Sequence, residues 1–396
     1  MSDTVKLKDV CKFKRGLTYS KKDEVDLSNN VVVRATNIDL ENNKLNLTQL
    51  KYIKENIKID EDKILKKGDI LICTASGSMS HLGKVALIDK DIKMAFGGFM
   101  GVLRTSEKCL PKFLYNILIS QKFKKVLLSN TSGANINNLR FSQIENFEFI
   151  LPSLPEQQLI IAKLDAAFVE IDKNIDFIKN KEQEINILNE IILSDEFKLS
   201  PENKKLNEVC KIFNGGTPDT KNKTYWNGNA QWLTPRDMGK LKNENVIVTL
   251  RQLTEAGLKN SSASLIPKNS IILSCRAPIG HLAINNVPMA FNQGCKGLVP
   301  DSTILQYKYL YYFLFSSKKL LNNLGTGTTF KEISSKVLSS VKINVPSLDR
   351  QKKIINKLDL IFKELQKLKD INKKQIENYS NLKKALLKKE LISKAA

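Results

Sequence analysis

Hydrophobic positions along the chain follow two different rhythms. From Pro155 to about Phe197 there is no glycine and no further proline, and apolar residues fall mostly three and four apart at Ile161, Leu164, Phe168, Ile171, Ile175, Ile178, Ile185, Leu188 and Ile192. This is the seam spacing of a coiled-coil helix. A second such run follows Pro346-Ser-Leu, with Ile354, Leu358, Ile361, Leu365, Leu368, Ile371, Ile376, Tyr379, Leu382 and Leu386. Each begins after a Pro-Ser-Leu turn, a helix-start signal. Between and before these helices, short β-type runs such as VVVRA, ILIC, QWLTP and IILSC alternate with Gly, Asn and Pro punctuation, and stretches 112–128 and 307–324 read as helical. That mixture predicts α+β globular domains.

The chain is a repeat of itself. ILPSLPEQQLIIAKLD (150–165) matches NVPSLDRQKKIINKLD (344–359), KFLY (112–115) matches KYLY (308–311), MAF (94–96) matches MAF (289–291), and LKDVCK (7–12) matches LNEVCK (206–211). ILKKGDILIC (64–73) also resembles LIPKNSIIL (265–273), and His81 and His281 each lie near a glycine. Matches in the same order at an offset near 195 mean a duplicated unit rather than a solenoid. Four segments follow: a head at 1–154, a helix at 155–198, a second head at 199–348 and a second helix at 349–396. A helix of about 40 residues is about 60 Å long. For the second helix to bury its seam on the first it must run antiparallel, so the expected architecture is two heads on a pseudo-twofold antiparallel coiled coil.

Charge sharpens this picture. The 396 residues hold 63 Lys and Arg against 41 Asp and Glu, a net charge of +22. The heads carry +8 and +11, the first helix −5 and the second +8. Opposite-sign helices attract, and two basic heads point to an anionic partner, nucleic acid before membrane. No apolar run reaches transmembrane length and the N-terminus lacks a signal-like apolar stretch, so a cytoplasmic protein is expected. Six scattered cysteines without a C-x-x-C pair, and only two histidines, predict reduced buried thiols and no zinc site.

Catalytic motifs are missing. The stretch from Gly77 to Gly83-Lys84-Val85 has one residue too many for a phosphate loop and ends without a hydroxyl. Pro218-Asp219 with Lys221 lacks the second carboxylate of a nuclease motif. The histidines have no neighbouring nucleophile and read as structural or DNA-contacting.

GGTPDTKNKTYWNGNAQWLTPRDM (215–238), IILSCRAPIGHLAI (271–284), MAFNQGCKGLVP (289–300) and the two Pro-Ser-Leu helix starts resemble the specificity subunit of type I restriction-modification systems. The first head departs from that pattern, with SMSHLGKVALI and FGGFMG at the matching places. The resemblance implies a non-catalytic chain with two target recognition domains, each reading one half of a bipartite asymmetric site. It further implies two methyltransferase and two restriction subunits as partners, which hold S-adenosylmethionine, ATP and Mg. This chain itself is expected to need no cofactor and no metal. A stand-alone DNA-modifying enzyme and a coiled-coil scaffold between protein partners are the competing expectations.

DNA readers are polar and basic side chains in loops at the groove. In the second head these are Thr217, Lys221, Lys223, Tyr225 and Trp226 in a basic and aromatic loop, Arg236 and Arg276 after strand-like runs, and His281. Gln293 and Lys296 flank a glycine, and Thr328, Thr329 and Lys331 belong to a Gly-Thr turn ahead of a short helix. In the first head the repeat maps onto Lys14, Arg15, Arg34, Asn37, Thr74, Ser76, Ser78, Asn135, Asn137 and Arg140.

Overall fold

The computed structural model describes residues 3–39, 42–76, 81–130, 138–198, 203–241, 243–276, 278–327 and 331–392. They form two compact units. One consists of residues 1–178 with 373–396, and the other of residues 179–372. Each unit holds one head and a part of each long helix.

The heads repeat one topology. In the first, strand Cys11–Arg15 pairs with Met100–Thr105, then Ile70–Cys73, then Val85–Leu87, all antiparallel. In the second, Cys210–Asn214, Cys295–Pro300, Ser270–Ser274 and Leu282–Asn285 follow the same order, extended by Asn245–Val246. A second sheet joins Asn30–Val33 to Ala95–Phe96 in parallel, and its counterpart joins Trp226–Leu233 to Met289–Phe291 in parallel. A two-stranded ribbon closes each head, Asp3–Lys6 with Glu148–Leu151 and Asn203–Lys205 with Lys342–Asn344. The central strands read ILIC and SIILS and are buried at every position, which explains their unbroken apolar runs.

The long helices run over Leu154–Glu196 and Leu348–Ile392. Within each unit their segments pack antiparallel. Lys383 bonds Asp172 in one unit; in the other Lys357 bonds Glu196, and Lys369 bonds Asn186 at 2.8 Å. As sequence position rises on one helix it falls on the other. Lysines of the second helix meet acids and amides of the first, as the charge division implied.

Leu164, Ile171, Ile178, Leu358 and Leu365 are buried, and Ile161, Phe168, Ile175, Ile185, Ile361 and Leu386 are half-buried. Four seam positions need correction. Leu188, Leu368, Ile371 and Leu382 are exposed, at 48, 46, 54 and 46 %. Leu193 and Leu387 are buried instead, and Ile192 packs on the core. A straight helix of 3.6 residues per turn drifts from a 3.5-residue repeat, so an extrapolated seam slides off the buried face.

The residues that carry the repeat in sequence build the joint between head and helix. Gln157 and Gln351 are fully buried. Gln157 Oε1 accepts from Leu110 N at 2.8 Å, and its Nε2 donates to Lys108 O and Pro152 O, both at 2.9 Å. Gln351 Oε1 accepts from Gln306 N at 2.9 Å, and its Nε2 donates to Ile304 O and Pro346 O, both at 2.8 Å. About two turns further on, Asp165 receives Lys112 at 2.6 Å and Asp359 receives Lys308 at 2.7 Å. A buried primary amide with all these bonds made ties the long helix to the start of a head helix in one geometry.

All six cysteines are buried and free. Burial pushes the thiols of Cys11, Cys109, Cys210 and Cys275 up to about 12, and raises those of Cys73 and Cys295 as well. Thiolate is the reactive form. The native chain is therefore expected to leave an aromatic disulfide reagent unconsumed over minutes at pH 8, and the unfolded chain to consume six equivalents. Rapid labelling of the native chain would contradict the burial.

Candidate nucleic-acid interface

In each head, one end of the central sheet gathers loops that the strands themselves do not occupy. Gly16 N donates to Met100 O and Leu17 N to Phe96 O; in the second head Gly215 N donates to Cys295 O and Gly216 N to Phe291 O. These bonds press the loop after the first sheet strand onto the turn before the last. A side chain at Gly16 would overlap Gly97 O, and one at Gly215 would overlap Asn292 O, so only glycine permits the approach.

Thr217 follows this contact in the second head, and its hydroxyl bonds the amide oxygen of Gln293. Beside Gln293, Gly294 lies against the Pro235 ring and the Arg276 side chain. Arg276 pairs through its backbone with Glu332, and its guanidinium lies 3.9 Å from that carboxylate. Arg236 and Lys331 adjoin this path in sequence and are exposed. Thr217, Gln293, Arg236, Arg276 and Lys331, selected from distant parts of the chain, thus belong to one face. Lys221 and Lys223 are exposed on the neighbouring loop. Tyr225 is half-buried, and Asn222 caps that turn by accepting from Thr224 N at 3.0 Å.

The first head places Arg15, Arg34 and Ser76 at the matching end of its sheet, where they line a cleft of about 680 Å³ with Tyr19, Phe99 and Met100. The Nε of Arg34 is buried and has no acceptor among the described residues. Lys14 is exposed and pairs with Asp62 at 3.0 Å. Arg140 is exposed at the start of a short turn, its backbone N donating to Gln143 Oε1 at 2.7 Å. Ser78, Asn135, Asn137, Thr328 and Thr329 lie outside the described residues.

Four expected readers turn out to be structural. Asn37 is 1 % exposed; its Oδ1 accepts from Arg34 N, and its Nδ2 donates to Asn46 O and Gln49 O. It caps the turn after a strand, as Asp237 does by accepting from Thr234 N and its hydroxyl. Thr74 is buried, and its backbone bonds Phe99 O and Leu139 N. Trp226 is buried edge-to-face on Trp232, with its indole N–H on Asp219 O and the Arg251 guanidinium 3.5 Å over its ring. Lys296 is buried, with its ammonium 2.7 Å from Asn214 Oδ1. In Asn37, Trp226 and Lys296 the polar group is consumed internally, and Thr74 is buried, which a loop-like sequence context does not reveal.

Both histidines are shifted below the ordinary imidazole pKa. Burial first, and Lys318 second, lower the pKa of His281; burial first, and Lys84 second, lower that of His81. His281 N donates to Ser274 Oγ at 2.8 Å, and its half-buried ring lies near Gly239. Lys84, the lysine of the stretch that ends in Val85, is buried with its ammonium on Ile38 O at 2.6 Å and His81 Nδ1 at 2.7 Å. Phe99 was missed by sequence reasoning: it is 71 % exposed in the cleft. Its signal was an aromatic beside paired glycines where the second copy has Gly294.

The two heads can now be compared position by position through their strand registers. At the joint, Gln157 matches Gln351, Lys112 matches Lys308 and Asp165 matches Asp359. At the sheet end, Arg15 is the counterpart of Asn214, Thr36 of Arg236, Ala75 of Arg276, Gly98 of Gln293 and Phe99 of Gly294. The framework is kept and the face is varied.

Comparison with known proteins finds the same duplication. The family model described as "Type I restriction modification DNA specificity domain" matches residues 2–186 and 201–378. The MjaIX type I restriction enzyme specificity subunit of Methanocaldococcus jannaschii is 34 % identical over 185 residues, covering 45 % of this chain and 42 % of that protein. The chain thus aligns with less than half of that relative's length. The putative MjaX specificity subunit of the same organism is 25 % identical over 371 residues, 88 % of this chain and 83 % of that protein. A chain solved in work on complex assembly and conformational transition of the type I R-M system superposes with a TM-score of 0.76 at 21 % identity. It covers 98 % of this chain and 97 % of that one, a likeness of fold.

Proposed function

Because the chain belongs to the type I restriction-modification DNA specificity family, we propose that its two heads read the two halves of a bipartite, asymmetric site on duplex DNA. The observation that carries this reading is the contrast between the kept head–helix joints and the divergent sheet-end faces. Two readers of the same sequence would keep both. Two readers of different sequences need one framework and two sets of side chains, since base edges are told apart by the donors and acceptors presented to them.

The chain performs no catalysis in this reading. It docks methyltransferase and restriction subunits, two of each, and these hold S-adenosylmethionine, ATP and Mg. Docking through the long helices is supported by apolar side chains exposed on them, Ile191 at 58 % and Leu360 at 66 %.

The test is an exchange of residues 1–154 for the first head of another family member, followed by mapping of methylated adenines in DNA modified by the assembled complex. One half-site is expected to change and the other to stay. A change in both halves would overturn the assignment of one head to one half-site, and an unchanged site would overturn DNA reading by the head.

A further inference from the structure

We propose that Phe99 is a specificity-determining residue of the first head, reading a thymine by packing its ring on the 5-methyl group. The proposal rests on the DNA-reading function above and adds the base class that one position selects.

The ring of Phe99 is 71 % exposed in a head whose sheet strands bury their apolar side chains. Its backbone is fixed. Phe99 O accepts from Thr74 N at 2.9 Å and from Ala75 N at 3.1 Å, which ties it to the end of a buried strand. Glycines at 97 and 98 remove side chains from its approach. An exposed aromatic on a fixed backbone is preorganised for a partner and loses little rotamer freedom on binding.

The surroundings say what that partner is. Arg15, Lys21, Arg34 and Lys51 line the same cleft, and the one acid among its lining residues, Glu24, is engaged by Lys51 at 2.8 Å. The buried Arg34 Nε lacks an acceptor among the described residues. The cleft therefore suits a polyanion that carries acceptors and one apolar group. In the major groove of duplex DNA the only apolar group on a base edge is the 5-methyl of thymine. In the second head Gly294 takes this position, its O accepting from Cys275 N at 2.8 Å as Phe99 O accepts from Thr74 N. Methyl readout at this position is thus confined to one half-site.

The experiment uses the full chain assembled with the methyltransferase subunits of its system. Binding is selected from two randomised duplex libraries, one synthesised with thymidine and one with deoxyuridine, which lacks the methyl. The wild-type complex is expected to select a thymine position in the first half-site and to lose that preference in the deoxyuridine library. On the selected duplex, a single thymine-to-uracil exchange there should weaken binding about fivefold, as loss of one buried methyl implies. Phe99→Ala should abolish the difference between the two bases, Phe99→Leu should retain part of it, and the second half-site should be unchanged in both. An equal response of wild type and Phe99→Ala to uracil at every first-half position would overturn the proposal while leaving DNA reading intact. If the wild-type complex selected no sequence from either library, the DNA-reading function itself would fall. Retention of the thermal transition by Phe99→Ala, an exposed substitution, separates lost readout from lost folding.

Discussion

Replacing Gln351 by alanine is expected to destabilise the unit formed by residues 179–372 by about 3 kcal/mol. The side chain is fully buried and makes three hydrogen bonds to backbone groups of two segments, Gln306 N and Ile304 O in one and Pro346 O in the other. Truncation strands all three groups away from water, at roughly 1 kcal/mol each. For a unit of this size that corresponds to a fall of about 6–12 °C in its thermal transition. Gln157→Ala should do the same to the other unit, since its bonds to Leu110 N, Lys108 O and Pro152 O repeat the pattern. Differential scanning calorimetry of the full chain checks both. A shift under 2 °C for either variant would mean that the amide does not hold helix to head. DNA specificity of the surviving folded protein should be unchanged, because neither glutamine reaches the sheet-end face.

The second large effect concerns that face. Replacing Arg236 and Arg276 together by alanine should weaken binding of the complex to its cognate duplex by about 100-fold or more. A well-placed arginine contributes about 1–3 kcal/mol of discrimination against the wrong base. Arg236 is exposed, and the Arg276 guanidinium lies 3.9 Å from an accessible Glu332, a long contact that contributes little by itself. If the arginines touch bases, the loss is confined to cognate DNA and the second half-site becomes relaxed. If they touch phosphates, affinity falls equally for all sequences and the slope of log affinity against log salt drops by about 0.9 per contact. Titrations at several salt concentrations with cognate and scrambled duplexes distinguish these results. Unchanged affinity on both duplexes would remove this face as the interface of the second head.

Much of the fold was legible because it rests on periodicity and repetition. The long helices follow from apolar residues three and four apart without glycine, and the strands ILIC and SIILS follow from short apolar runs between turn residues. Duplicated segments such as LPSLPEQQ and VPSLDRQK announced two similar units. What they mark, however, is the head–helix joint. The side chains that repeat most closely are those whose bonding geometry must be reproduced twice, and that geometry is structural.

The face was only partly legible. Arg15, Arg34, Arg236, Arg276, Thr217 and Gln293 were singled out from residue type and loop context, and the fold brings them to equivalent ends of two sheets. The same criteria also selected Asn37, Trp226 and Lys296, whose polar groups are satisfied inside the head by Asn46, Asp219 and Asn214. Residue type states what a side chain can bond. It does not state whether a partner lies nearby in space, and those partners sit 7 to 82 positions away along the chain.

By itself, then, the sequence determined the duplication, the α+β heads, the two long helices and the excess positive charge of the heads. Each of these follows from local pattern or from counting, which need no knowledge of distant contacts. Only the tertiary structure decided which side of each helix is buried, which amides and ammonium groups are consumed in the core, and that Phe99 stands uncovered among arginines. Those outcomes depend on long-range packing, where one more residue of helical drift or one internal hydrogen bond settles whether a side chain faces the core or the solvent.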